Sequence, residues 1–150
     1  MAVECWCDAS WQSEPDSRSR TGLAVSIWPR AAKVAVHSKI QSFATLLPQH
    51  AETVALMEAV RMVRHVRMLL EEMGFPQKVP TPVWEDNVGC IAFANGTPPL
   101  GKTKHIDNRD RYCRDAVAQG IVVPQKIGTS VNPVNALAKE VSRDDQEALR

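Results

Sequence analysis

No apolar stretch in this 150-residue chain approaches the roughly 20 residues that a membrane-spanning helix requires. The basic-then-apolar opening of a secretory signal is missing too, because Glu4 and Asp8 interrupt the start. Neither sign of charge dominates: Lys and Arg total 18, Asp and Glu total 17, and the formal net charge is +1. That balance excludes a strongly basic nucleic-acid coat protein. It does not exclude an enzyme acting on nucleic acid, since a local basic strip can sit beside an acidic site. The cysteines lack zinc-site spacing. Cys5 and Cys7 form a Cys-x-Cys pair in an apolar run, whereas Cys90 and Cys113 lie far apart. They read as buried, reduced thiols of an intracellular protein. Internal repeats and low-complexity tracts are absent.

What is present fits one globular domain over residues 1–150, with 44% hydrophobic and 23% charged residues. A chain of this length can bury about 70% of its unfolded surface, so it needs neither disulfide nor metal to fold. Residues 2–8, 21–28 and 32–37 read as three strands of an antiparallel meander, from their alternation and β-branched content. Residues 50–73 carry apolar side chains at three- and four-residue spacing, which predicts a long helix. Gly74 and Pro76 stop it. A short strand at 82–85, a short helix at 87–94 and a second substantial helix at 105–119 follow. The next strand, 121–127, contains Pro124, which places it at a sheet edge or a bulge. A final helix is expected over 132–148, with Asn132 as its cap and Pro133 in its first turn. The order implies an α/β fold with a mixed sheet and helices on its faces.

Three carboxylates fall where these elements meet the end of such a sheet. Asp8 ends the first strand, Glu52 lies in the first turn of the long helix, and Asp86 ends the fourth strand. Carboxylates converging from separate elements repel one another, and a hard divalent cation such as Mg²⁺ is their usual compensation. Two such ions about 4 Å apart can activate water and stabilise the leaving oxygen of a phosphodiester. Taken singly, each acid could equally be a solvated surface charge or a helix cap.

Seven segments, in order, resemble the ribonuclease H domain of Ty1/copia-type retrotransposon polyproteins. CDASW is similar to D-A-[DS]-W, SRTG to S-T-S-G, and HAETVALMEA to T-E-A-E-Y-I-A-L-x-E-A. LLEEMGFP matches the linker, and EDNVGCIAFANG is similar to C-D-N-Q-S-A-I-A-L-A-K-N. KTKHIDNRDRYCRD looks like R-T-K-H-I-D-x-R-x-H-F-I-R-[ED], and NPVNALAK like N-P-A-D-A-L-T-K. The resemblance covers nearly the whole chain. It implies a ribonuclease H-like fold with a five-stranded sheet, three strands antiparallel and then two parallel, and helices on both faces.

It also implies cleavage of the RNA strand of an RNA–DNA hybrid with two Mg²⁺ (or Mn²⁺) ions. Asp8, Glu52 and Asp86 would be metal-binding and catalytic, and His105 is a further catalytic candidate or the packed start of a helix. The fourth carboxylate of the resembled family falls at Asn135, whose amide carries no charge and is a weaker Mg²⁺ ligand. Asp144 and Asp145 are more than two turns further on, too far to replace it. Ser10 and Asn87 would contact sugars or phosphates of the hybrid, or serve as turn and cap residues. Lys102, Lys104 and Arg109 would contact phosphates, or lie on a solvated face. Arg61, Arg64, His65 and Arg67 form a second basic strip, and Trp11 could stack on a base or sugar. The expected partners are the hybrid and a reverse transcriptase domain or a larger assembly. The alternative is an inactive, domesticated ribonuclease H fold that binds RNA or serves as a structural subunit. A nuclease of this fold with another substrate is a third class.

Overall fold

The computed structural model describes residues 2–28, 32–97 and 108–138. Strands β1 (Glu4–Ser10), β2 (Arg20–Ser26) and β3 (Lys33–Ile40) precede helix α1 (Pro48–Glu72). Strand β4 (Thr81–Glu85), helices α2 (Val88–Ala94) and α3 (Asn108–Ala118), and strand β5 (Val122–Lys126) follow. A 3-10 turn (Thr129–Val131) and the short helix α4 (Asn135–Ala138) come last among the described residues. The sheet order is β3-β2-β1-β4-β5. The first three strands pair antiparallel, and β4 joins β1, and β5 joins β4, in parallel. Pro124 sits on β5, an edge strand, where a missing N–H costs least.

Period-two alternation in β1 decides which side chains meet which layer. Cys5, Cys7 and Ala9 join Leu23 and Val25 of β2 against Leu56, Val60 and Val63 of α1. Each large side chain buried there stabilises the fold by about 1.5–3 kcal/mol, an upper figure because the unfolded chain already hides some surface. On the opposite side Trp6 and Ala24 pack with Val134, Trp84 and Leu137. Helix α4 thus covers the second face. It comes so close to β2 that a Cβ on Gly22 would lie 2.9 Å from backbone atoms of Val134 and Ala138. Only glycine fits there, which fixes α4 beside the strand pair that carries Asp8, since Gly22 is the register partner of Asp8. At the other end of the core, Gly74 takes φ +86° just past α1, the left-handed stop that its sequence position predicts.

Most boundaries shift by one to three residues from the sequence reading, and three of the shifts bear on the site, each for a local reason. Strand β1 runs on to Ser10, because Ala9 and Ser10 still pair with Thr21 and Arg20; Asp8 therefore lies within the strand and not at its end. Helix α1 starts two residues early, with Pro48 in its first turn, so Glu52 stands in the second turn. The last helix begins at Asn135, not at Asn132. The Asn132 side chain instead donates to the Cys7 carbonyl at 3.0 Å and accepts from the Val134 N–H, pinning the turn before α4 to β1. The rest of the expected 132–148 helix, from 139 onward, lies outside the described residues, as do 105–107 of the expected 105–119 helix.

Candidate active site

Strand β4 ends at Glu85 alongside the middle of its parallel neighbour β1, and α1 passes over them with its N-terminal half. This brings one carboxylate oxygen from each of Asp8, Glu52 and Asp86 within 4.8 Å of the others. Asp8 and Glu52 are buried, at 3% and 8% exposure, and Asp86 is half-buried. The Glu52 carboxyl is pushed up to about 10, first by burial and then by Glu85, Asp8 and Asp86; the Ala9 N–H opposes this weakly. One Glu52 oxygen, Oε2, is buried with no hydrogen-bond partner among the described residues.

Asp86 is held from two sides. Thr129 Oγ1 donates to its Oδ2 at 2.8 Å, and Lys126 Nζ donates to its carbonyl oxygen. Thr129 in turn accepts, through its carbonyl, a long 3.4 Å bond from Asn135 Nδ2. Asn135 Oδ1 is buried with no hydrogen-bond partner among the described residues. The residue at the expected fourth-carboxylate place therefore stands two hydrogen bonds from Asp86.

Sequence reasoning missed Glu85, whose side chain is fully buried beneath this cluster. Its carboxyl is raised to about 7 by burial, against the pull of hydrogen bonds from Asn87 and Cys7. Cys7, pushed well above the ordinary thiol range by burial and Glu85, stays a neutral S–H that donates to Glu85 Oε2 at 3.2 Å. The signal was available. Thr81, Val83 and Glu85 alternate with Pro82 and Trp84, and that period turns Glu85 inward. Thr129 and Lys126, also missed, carry no such pattern.

The other expected site residues separate. Ser10 is buried and donates to Ser13 Oγ at 2.7 Å, a tie within the β1–β2 loop. Asn87 caps α2, its Oδ1 accepting from the Cys90 N–H at 2.9 Å. Arg109 lies 4.1 Å over the Phe43 ring, beside two concavities of about 190 and 430 Å³ whose linings include none of the three carboxylates. His105, Lys102 and Lys104 lie outside the described residues. The basic strip of α1 serves the fold in part: Arg67 donates to the Val79 and Gln77 carbonyls and to Thr81 Oγ1, and Arg64 faces the Tyr112 ring. Trp6 is buried, whereas Trp11 keeps 43% of its surface exposed with its Nε1 donating to the Thr45 carbonyl at 3.1 Å.

Three oxygen donors of one sign, with a stranded buried Glu52 oxygen, suit a hard divalent cation better than a soft metal. Without a cation, Glu52 must stay protonated or the cluster must bear repulsion. Its folded pKa lies above its unfolded value. The stabilising contribution of the protonated form is therefore fully present below about 4.5 and lost as pH climbs towards about 10. Metal-stripped protein should melt progressively lower between pH 5.5 and pH 8.5. Added Mg²⁺ should raise the midpoint, and more at the higher pH. Each kcal/mol corresponds to about 2–4 °C in a chain of this size. A flat midpoint in differential scanning fluorimetry would contradict the coupling.

With this geometry in view, the chain can be set beside known proteins. It superposes on LC11-RNase H1 in complex with an RNA/DNA hybrid with TM-score 0.68, over 99% of each chain at 12% identity. The chain has the ribonuclease H fold. The N-terminal ribonuclease H domain of a Mycobacterium tuberculosis protein gives TM-score 0.60 at 16% identity, covering 98% of this chain and 96% of that one. The foamy viral protease-reverse transcriptase in complex with an RNA/DNA hybrid gives 0.64 at 14% identity, over 98% of this chain and 20% of that one. No family model matches the sequence. In sequence, the chain is similar to the retrovirus-related Pol polyprotein from transposon TNT 1-94 of Nicotiana tabacum, 29% identical over 146 residues. That match spans 97% of this chain and 11% of the polyprotein. The copia-type resemblance read from the seven motifs is thereby borne out, as is the mixed-sheet ribonuclease H fold.

Proposed function

We propose that this ribonuclease H fold is a divalent-metal-dependent nuclease that cleaves the RNA strand of RNA–DNA hybrids. The observation that carries the reading is the convergence of Asp8, Glu52 and Asp86 within 4.8 Å on this fold. Asp8 and Glu52 would hold Mg²⁺ or Mn²⁺ together with Asp86, and Asn135 would offer its neutral oxygen. A cation held there supplies an activated water and charge stabilisation for phosphodiester hydrolysis. The chain's own part is to fix the three carboxylates before substrate arrives. Burial of Asp8 and Glu52 keeps water from relaxing them, and Thr129 and Lys126 hold Asp86 still. Work beside a reverse transcriptase domain accords with the likeness to the foamy viral protease-reverse transcriptase, of which the matched part is 20%. An intracellular setting accords with four free, buried cysteines.

Labelled hybrid incubated with Mg²⁺ or Mn²⁺ tests this. The RNA strand should shorten, the DNA strand should stay whole, and a chelator should stop the reaction. Absence of cleavage with either ion at excess protein, and none from Asn135→Asp, would refute it. That result would favour the inactive, domesticated reading, which rests on the missing charge at Asn135.

Trp11 adds a prediction about substrate grip. Three residues beyond Asp8, its exposed ring is held in place by the bond to Thr45. Stacking of a base or sugar on such a ring is worth about 1–3 kcal/mol, so Trp11→Ala should raise KM for the hybrid about tenfold at unchanged kcat. Trp11→Phe should recover most of it. A fall in kcat instead would remove Trp11 from substrate binding.

A further inference from the structure

The turn between β4 and α2 presents Asp86, and it leaves two backbone N–H groups ahead of the helix, at Asp86 and Asn87. Helix α2 starts only at Val88 and satisfies neither. Glu85 Oε1 accepts both, each at 3.0 Å. Its Oε2 takes the Cys7 thiol from β1, and its main-chain carbonyl accepts from Ile127 N–H at 3.0 Å. One fully buried side chain thus ties the Asp86 turn to the strand that carries Asp8. A carboxylate under three others is costly, and an apolar side chain would pack there more cheaply.

We propose that Glu85 is the positioning residue for Asp86: by accepting the Asp86 and Asn87 N–H groups it holds the Asp86 carboxylate at the cation site. The inference rests on the metal-site reading above. Glu85 touches neither cation nor substrate in this role; it acts through the backbone of Asp86. Thr129 restrains the carboxylate end of Asp86 and Glu85 the backbone end, so the side chain is clamped at both.

Glu85→Gln and Glu85→Leu separate the role from mere burial. Glutamine keeps an acceptor oxygen for both N–H groups and loses the charge; leucine keeps the volume and loses the acceptors. Three readouts apply: Mn²⁺ affinity by calorimetry, amide hydrogen exchange at residues 86 and 87, and kcat and KM on the hybrid. The leucine variant should bind Mn²⁺ at least about tenfold more weakly and lose kcat to a similar degree, with KM within about twofold. Its residue 86 and 87 amides should exchange faster. The glutamine variant should stay within about threefold of native on every count. A folded leucine variant with native Mn²⁺ affinity overturns the proposal. So does a glutamine variant as impaired as leucine, which would make the charge rather than the hydrogen bonds the active feature. Should leucine prevent folding, glutamine alone decides: near-native affinity supports the role, and a tenfold loss overturns it. Native protein that binds no Mn²⁺ sinks the metal-site reading along with it. Native binding with an indifferent leucine variant removes only Glu85.

Discussion

Asp8→Asn should abolish hybrid cleavage and at the same time make the metal-free protein more stable. The two effects have one cause. Asp8 is 3% exposed and lies within 4.8 Å of two other carboxylates. Its charge is among those that push Glu52 up to about 10. Replacing that charge with an amide of the same shape relieves like-charge repulsion, and about 1–2 kcal/mol of added stability is reasonable for one buried member of such a cluster. The same replacement removes a charged cation ligand. A loss of about a thousandfold or more in single-turnover rate, about 4 kcal/mol, is the expected result. Thermal melts in chelator beside cleavage assays at saturating Mg²⁺ measure both halves. A variant retaining a tenth of native activity would mean that Asp8 is no part of the machinery. A variant that melts lower in chelator would mean that its carboxylate stabilises the fold more than it strains it.

Asn135→Asp should act in the opposite sense. Among the described residues Asn135 Oδ1 is buried with no partner and its Nδ2 makes one long bond, to the Thr129 carbonyl, so little is lost there when the amide goes. A carboxylate there adds a further acidic group two hydrogen bonds from Asp86, through Thr129. At limiting Mg²⁺ the cleavage rate should rise at least about tenfold, and the apparent Mg²⁺ affinity should rise with it. The metal-free variant should melt lower than native, since the added charge joins an already repelling set. Unchanged Mg²⁺ dependence, measured by titrating the ion in the cleavage assay, would show that position 135 does not sense the cation.

Much of the scaffold is legible in the chain because its determinants are local. Alternation in CWC and in the segment around Val34 and Val36 declares strands, and the apolar stripe from Ala55 to Leu70 declares α1. Boundaries are less legible, because a distant partner sets them. Ser10 belongs to β1 only because Arg20 pairs with it, and Asn132 fails to start a helix because Cys7 claims its amide. The carboxylate set could be named from motif order, but its closeness depends on a parallel β1–β4 pairing that no local pattern encodes. Glu85 shows the opposite failure. The inward period was readable, yet a charged side chain at an inward position is discounted unless its partners are known. Two of those partners are N–H groups of the next two residues and the third is a thiol 78 positions away. The α1 arginines form a basic strip in the sequence, yet Arg67 closes the linker after α1 by gripping its carbonyls, a role that only the fold reveals.

The parallel seam between β1 and β4 divides the chain into an early half, with the three-stranded meander and long helix, and a late half of β4, α2, α3 and β5. Asp8 and Glu52 belong to the early half and Asp86 to the late one. A cation among them would therefore act as a stitch across the join between the two halves. Neither half alone would own the complete ligand set, and cation affinity would report that docking is complete rather than that either half has formed.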